Sequence, residues 1–329
     1  MPPARFDLLG IGNAIVDVAA STDDAFLSKH DMHKGSMRLI SAEQAEALTA
    51  AMPSPKESSG GSAANTCAVA AGLGARVAFQ GKVADDRLGE AFRRDITASG
   101  VHYTTPPLRG AAPTARCLIF VTPDAQRTMN TYLGACVGFE PADLDEALIA
   151  DSGVTYLEGY LFDPPQAQQA FLRAAEVAHG AGRAVALSLS DAFCVDRHRM
   201  AFRDLVRNHA DILFANEAEV CSLYEENAFE DAARRAAEDV GLAVLTRSEV
   251  GSVVLRGAER VEIAAEPTQV VDTTGAGDAY AAGFLTAYAQ GRDLRTCGRL
   301  GSLAAASVIA RFGARPEGDL RPLLQRAAA

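Results

Sequence analysis

Closely paired cysteines, runs of cationic residues and membrane-length apolar stretches are all missing from these 329 residues, and each absence excludes a class of function. The six cysteines (Cys67, Cys117, Cys136, Cys194, Cys221 and Cys297) never form a C-x-x-C pair. A chain this long does not need disulfide staples, and the spacing suits neither a zinc site nor a redox pair. The cysteines read as small apolar side chains in a reducing compartment. Lys and Arg total 31 against 42 Asp and Glu, a formal net charge of -11. Such a chain repels nucleic acid and anionic membrane surfaces unless its cations gather locally, and no run of them does so. The first residues, MPPARFD, lack the apolar core of a signal peptide, and no apolar stretch is long enough to span a bilayer. A cytoplasmic protein with neither a nucleic-acid nor a membrane partner is expected. Two phosphate-handling signatures are missing as well: there is no G-x-x-x-x-G-K-[ST] loop, and no D-F-G with the catalytic loop of protein kinases. The early G-x-G at Gly10 and Gly12 has Ile15 where a dinucleotide fingerprint needs its third glycine.

What is present is an α/β pattern. Hydrophobic residues make up 48% of the chain, ample for a core, and the length favours one large domain with a smaller appendage. Short apolar runs predict strands over 6–10, 77–81, 154–158, 184–189, 212–215, 243–246 and 252–255. Between and after them, helices are expected over 41–51, 64–72, 88–98, 166–179, 231–240, 279–289 and 296–310. This alternation predicts a three-layer α/β/α, doubly wound and mainly parallel sheet. Residues 14–40 and 101–136 depart from it, the second with two strand-like runs around a turn at Thr122-Pro-Asp-Ala-Gln. They are expected to form a small β lid over the C-terminal edge of the main sheet, where open α/β folds bind ligands. The large domain then comprises 1–13, 41–100 and 137–329, with the Pro- and Ser-rich stretch 51–60 as a loop.

One segment carries the chemistry: VVDTTGAGDAYAAG, residues 270–283. A strand-like start leads into a Gly275-Ala-Gly turn, and Asp278 opens an apolar helix. Glycines allow close backbone approach, and the amides of Ala276, Gly277 and Asp278 at a helix N-terminus would favour an anion. Such amides stabilise charge on a transferring phosphoryl group, and a carboxylate beside them accepts the proton of an attacking hydroxyl. Asp278 is thus the expected base, with Gly275, Ala276 and Gly277 as the anion hole. As a bare cap and turn the motif would have no such role.

The segment resembles the C-terminal signature of the ribokinase-like (PfkB-type) sugar and nucleoside kinases. A second signature of that family is matched by Gly60-Gly-Ser-Ala-Ala-Asn65, and two weaker ones by Asn216-Glu-Ala-Glu219 and by LTRSEVG, residues 245–251. In the last, Ser248 stands where the family has a glycine, which puts the backbone path there in question. The resemblance implies that Gly60, Gly61 and Asn65 hold the substrate, and that Asn13 and Asp17 grip its sugar. It also implies that Asn216, Glu219, Thr246, Gly251, Gly275 and Gly277 contact ATP, with Glu219 organising Mg²⁺ through water. Some relatives use a monovalent cation such as K⁺, and Asp272 and Thr274 sit where its ligands would begin. Within the family the wording is most similar to adenosine kinases, on GNAIVDV, GGSAANT, RTMNTYLGA and SLAAASVIARFGA. That implies transfer of the γ-phosphate to the 5′-hydroxyl of adenosine. Arg127 matches an arginine suited to the moving phosphate, with Arg116 as a second candidate. Met129, Tyr132 and Phe162 are either purine contacts or lid and core filler, and Phe162 reads as core. A ribose- or fructose-type sugar kinase, a kinase for another ribosyl nucleoside, a non-catalytic nucleoside-binding protein and a dehydrogenase are the competing readings. Oligomeric state stays open, a homodimer through the lid edge included.

Overall fold

The computed structural model describes residues 4–124, 126–315 and 318–328. Its larger sheet has nine strands. In spatial order they are Glu259–Ile263, Ser252–Arg256, Leu242–Thr246, Ile212–Asn216, Ala184–Ser188, Ser152–Glu158, Phe6–Ile11, Val77–Gln80 and Val101–Tyr103. The last seven run parallel to one another, and only the first two pairings are antiparallel. Successive side chains of a strand point to opposite faces, and the core divides accordingly. Leu8, Phe79, Tyr156 and Phe214 pack under the helices Ser62–Gly72, Ala276–Ala289 and Leu294–Ile309. Their neighbours Leu9, Leu157, Leu187 and Leu213 pack under Pro165–Gly180, Ala192–Asn208 and Phe229–Asp239. The doubly wound, three-layer arrangement read from the sequence is the observed one.

A second sheet of five strands runs Met37–Leu39, Arg127–Tyr132, Ala115–Val121, Ile15–Ser21 and Lys56–Gly60. Val16, Val18, Leu118 and Phe120 on one face join Leu27 and Leu48 in the core. The alternate residues Ile15, Asp17, Cys117 and Ile119 face a cleft above the larger sheet.

Two segments join a sheet that their composition did not suggest. Lys56–Gly60, within the stretch read as a loop, is an edge strand of the lid, paired with Ile15–Ser21 alone. A one-sided edge strand has no apolar alternation to announce it, and KESSG shows none. Val101–Tyr103, read as lid, pairs with Val77–Gln80 at the rim of the larger sheet. The helix Ala192–Asn208, capped by Asp191, escapes a periodicity search because the non-helical backbone at His198 breaks its repeat into two short pieces. The turn expected around Thr122 includes Ala125, which lies outside the described residues. Among the described residues all six cysteines are free, and no helix is long and apolar enough to cross a membrane.

Candidate active site

The two sheets enclose a cleft of about 1260 Å³, lined by the ends of the parallel strands below and by the lid above. At its floor Gly275 takes φ +77° and the helix Ala276–Ala289 begins. The Ala276 amide turns back to the Thr273 carbonyl (3.2 Å), so it does not point outward as the motif suggested. The amides of Gly277 and Asp278, in the unsatisfied first turn of the helix, remain unspent on the chain. The Asp278 carboxylate is held between two donors: Ser62 Oγ donates to Oδ1 (2.6 Å) and Asn65 Nδ2 to Oδ2 (3.2 Å). Burial pushes this carboxyl up to about 6, against the opposing pull of Ser62, Asn65 and the charge of Arg315.

The end of Lys56–Gly60 and the start of Ser62–Gly72 are shaped by close approach. The Asp17 carboxylate lies where a Cβ on Gly60 would stand, and a Cβ on Gly61 (φ +100°) would collide with the Asn13 carbonyl oxygen. Gly61→Ala therefore combines a strained backbone with a clash against main chain, and destabilises the fold by more than about 2 kcal/mol. Thermal unfolding followed by circular dichroism checks this; an unchanged midpoint contradicts the contact. Asn13 donates through its side chain (2.8 Å) and its amide (3.3 Å) to Glu158 Oε1, while the Ala63 amide donates to Oε2 (2.7 Å). Glu158 is only 1% exposed, and burial pushes its carboxyl up to about 7. Asp17 is also raised to about 6 by burial, with Arg315 and Arg127 lowering it and Asp278 raising it.

At the other end of the cleft, Asn216 ends its strand and caps the helix Glu217–Tyr224. Its side chain accepts from the Glu219 amide (2.9 Å), and Glu219 accepts in return from the Asn216 amide (2.9 Å) and Nδ2 (2.6 Å). Glu219 is 6% exposed, with its carboxyl raised to about 7 by burial. Thr246, Ser248 and Gly251 line the same end. Ser248 adopts φ +48°, the left-handed conformation that a glycine takes freely. The turn therefore follows the glycine path despite the serine.

Not every expected residue reaches the open cleft. Arg127 is ion-paired with Asp272 and donates to Thr274 Oγ1 (3.1 Å), which ties the lid to the turn before Gly275. Asp272 also accepts from Thr274 and from the Gly313 amide (2.9 Å). Its carboxylate is thus already engaged, and the residues where a K⁺ site would begin do not fit that ion in this arrangement. Arg116 lies one residue from Cys117 and so projects from the opposite face of the lid. Met129 faces the cleft, whereas Phe162 is stacked against Phe202 in the core. Asn65 is less free than its motif implies, because its Oδ1 accepts from Arg315 Nε (2.9 Å). Three residues escaped the sequence reading: Ser62, inside a motif noted for its neighbours; Glu158, at a strand end; and Arg315, which has no local pattern around it.

Comparison with known proteins agrees with this geometry. Residues 35–319 match the pfkB family carbohydrate kinases. The crystal structure of adenosine kinase from Sinorhizobium meliloti is 53% identical, with a TM-score of 0.91 over 98% of this chain and 100% of that one. A probable sugar kinase from Rhizobium etli is 50% identical, with a TM-score of 0.92 over 99% of both chains. Adenosine kinase 1 of Arabidopsis thaliana is 27% identical over 95% of this chain and 97% of its own length. Fold, cleft and family match converge: the chain belongs to the pfkB carbohydrate kinase family and is a phosphotransferase.

Proposed function

We propose that this phosphotransferase carries the γ-phosphate of ATP to the 5′-hydroxyl of adenosine, giving AMP and ADP. The observation that supports it best is the make-up of one cleft: a carboxylate beside unspent helix N-terminal amides, under an apolar roof. Asp278 takes the hydroxyl proton as the oxygen attacks phosphorus, and the Gly275–Gly277 turn with the Asp278 amide meets the charge on the phosphoryl oxygens. Asn13, Asp17 and the chain at Gly60, Gly61 and Asn65 hold the ribose; an ionised Asp17 accepts from both hydroxyls of its diol. Ile15, Ile119 and Met129 give the purine an apolar surface. Arg127 exchanges Asp272 for the moving phosphate as the lid closes and excludes water.

Asn216, Glu219, Thr246 and Gly251 hold the nucleotide. Both Glu219 oxygens are engaged by Asn216, so its reach to Mg²⁺ runs through water, which suits an ion that keeps much of its hydration. When bound, Mg²⁺ neutralises the phosphate oxygens.

A sugar kinase is the second reading, favoured by the similarity to the Rhizobium etli probable sugar kinase. A bare pentose or hexose would leave the apolar lid surface uncovered. Initial rates on adenosine, inosine, ribose and fructose decide between them: adenosine is expected to give the highest kcat/KM, and a higher value for either sugar overturns the acceptor while sparing the kinase. The base must be ionised to act, so kcat/KM rises with pH and levels off above about 6. Below that it falls at least tenfold per pH unit, and more steeply where Asp17, also raised to about 6, is protonated as well. A rate flat from pH 5 to 8 removes Asp278 from this role.

A further inference from the structure

Arg315 follows the last long helix of the core and takes no part in the chemistry just described. Its Nε donates to Asn65 Oδ1 (2.9 Å), its Nη1 donates to Ser59 Oγ (2.6 Å), and its buried Nη2 has no hydrogen-bond partner among the described residues. A guanidinium cannot accept a hydrogen bond. The Asn65 amide is therefore locked with its oxygen toward Arg315 and its NH₂ toward Asp278 Oδ2. The inverted amide would set donor against donor on one side and acceptor against carboxylate on the other. Through a single side chain, Arg315 thus fixes which group Asn65 presents to Asp278 Oδ2, while Ser62 holds Oδ1.

Its charge matters as well. Asp17 on the lid and Asp278 on the floor line the same cleft, and the charge of Asp278 disfavours the ionised form of Asp17. Of the other charged and titratable groups around them, only Arg127 relieves this, and it does so for Asp17 and not for Asp278. Arg127 on the lid is engaged by Asp272, Glu158 is another carboxyl, Asp95 on Arg87–Ala98 adds negative charge behind Arg315, and Cys67 and Tyr156 are buried neutral groups. Among the described residues Arg315 forms no direct ion pair, so its field is shared between the carboxylates.

We propose that Arg315 is the positioning residue of the acceptor site: it aligns Asp278 through Asn65 and supplies the positive charge that lets Asp17 and Asp278 stand ionised together. The catalytic half of this rests on the reading of Asp278 as base.

The test uses the full chain labelled with carbon-13 at the aspartate carboxyls, as wild type, Arg315→Met and Arg315→Lys, with Asp278→Asn serving to assign the resonance. In Arg315→Met the Asp278 titration midpoint and the acid limb of kcat/KM move up in pH together, by about one unit. Its kcat falls about 10- to 100-fold while KM for ATP stays within twofold. Arg315→Lys returns the midpoint toward wild type but not kcat, because an ammonium lacks the planar fork that reaches both Ser59 and Asn65. An Arg315→Met protein of native circular dichroism with an unmoved midpoint overturns the proposal, and so does lost activity with an unmoved acid limb. Should Arg315→Met not fold, Arg315→Lys decides: wild-type kcat overturns the alignment role, and lowered kcat with the limb in place supports it. A wild type that phosphorylates no acceptor refutes the functional reading, whereas the carboxyl titration still judges Arg315.

Discussion

Asp278→Asn lowers kcat by about 10²- to 10⁴-fold, the usual worth of a positioned general base, and leaves ATP affinity within a few-fold. The substitution preserves shape and removes only the capacity to take a proton. Ser62 Oγ can still donate to the new amide oxygen. The Asn65 NH₂, which gives a hydrogen bond to Oδ2, then meets another NH₂ and shifts by a few tenths of an ångström. In the proposed reading the nucleotide is held at the far end of the cleft, around Asn216 and Thr246, which this change does not touch. Calorimetric titration with ATP and with adenosine, beside steady-state rates, separates the two effects. Turnover within threefold of wild type would mean that another group takes the proton.

Gly275→Ala is expected to cost about 10²- to 10³-fold in kcat, the range for disrupting donors aimed at developing charge. Gly275 sits at φ +77°, and a Cβ there would stand 2.8 Å from the Ala314 Cα and 2.9 Å from its carbonyl oxygen. Neither the left-handed backbone nor main-chain atoms of Ala314 yield cheaply, so the turn shifts and carries the Gly277 and Asp278 amides with it. The neighbouring Gly277→Ala is a control for fold stability alone, since its Cβ would enter the cleft where the phosphate would lie. Its Cβ would meet nothing within 4 Å, and the residue has an ordinary helical backbone. Its melting temperature should match wild type, whereas Gly275→Ala loses several degrees along with its activity. A Gly275→Ala protein with the wild-type kcat and melting temperature would show that the turn has no special geometry.

How much of this could be read beforehand depends on how local each signal is. The layers were legible because the parallel strands are buried on both faces and appear as short apolar runs. Asp278 and the glycines were legible because turn, helix start and carboxylate follow one another within a few residues. Lys56–Gly60 was not, since pairing on one side only imposes no pattern on KESSG. Arg315 was hidden for a different reason: its partners Ser59 and Asn65 lie 256 and 250 residues away in the chain. The same distance in sequence concealed the engagement of Arg127 by Asp272, which ties lid to floor in this arrangement. The orientation of the Asn65 amide likewise follows from neighbours on both sides and from nothing in its own motif.

The proposed transfer depends on a single spatial relation, and one structure tests it most directly. Asp278→Asn crystallised with adenosine, Mg²⁺ and a non-hydrolysable ATP analogue should place the ribose 5′-oxygen within about 3 Å of the residue-278 side chain. The same oxygen should lie in line with the terminal phosphorus, with the Gly277 and residue-278 amides on the phosphoryl oxygens. A 5′-oxygen turned away from residue 278, or a terminal phosphate bound far from the Gly275–Gly277 turn, contradicts the account.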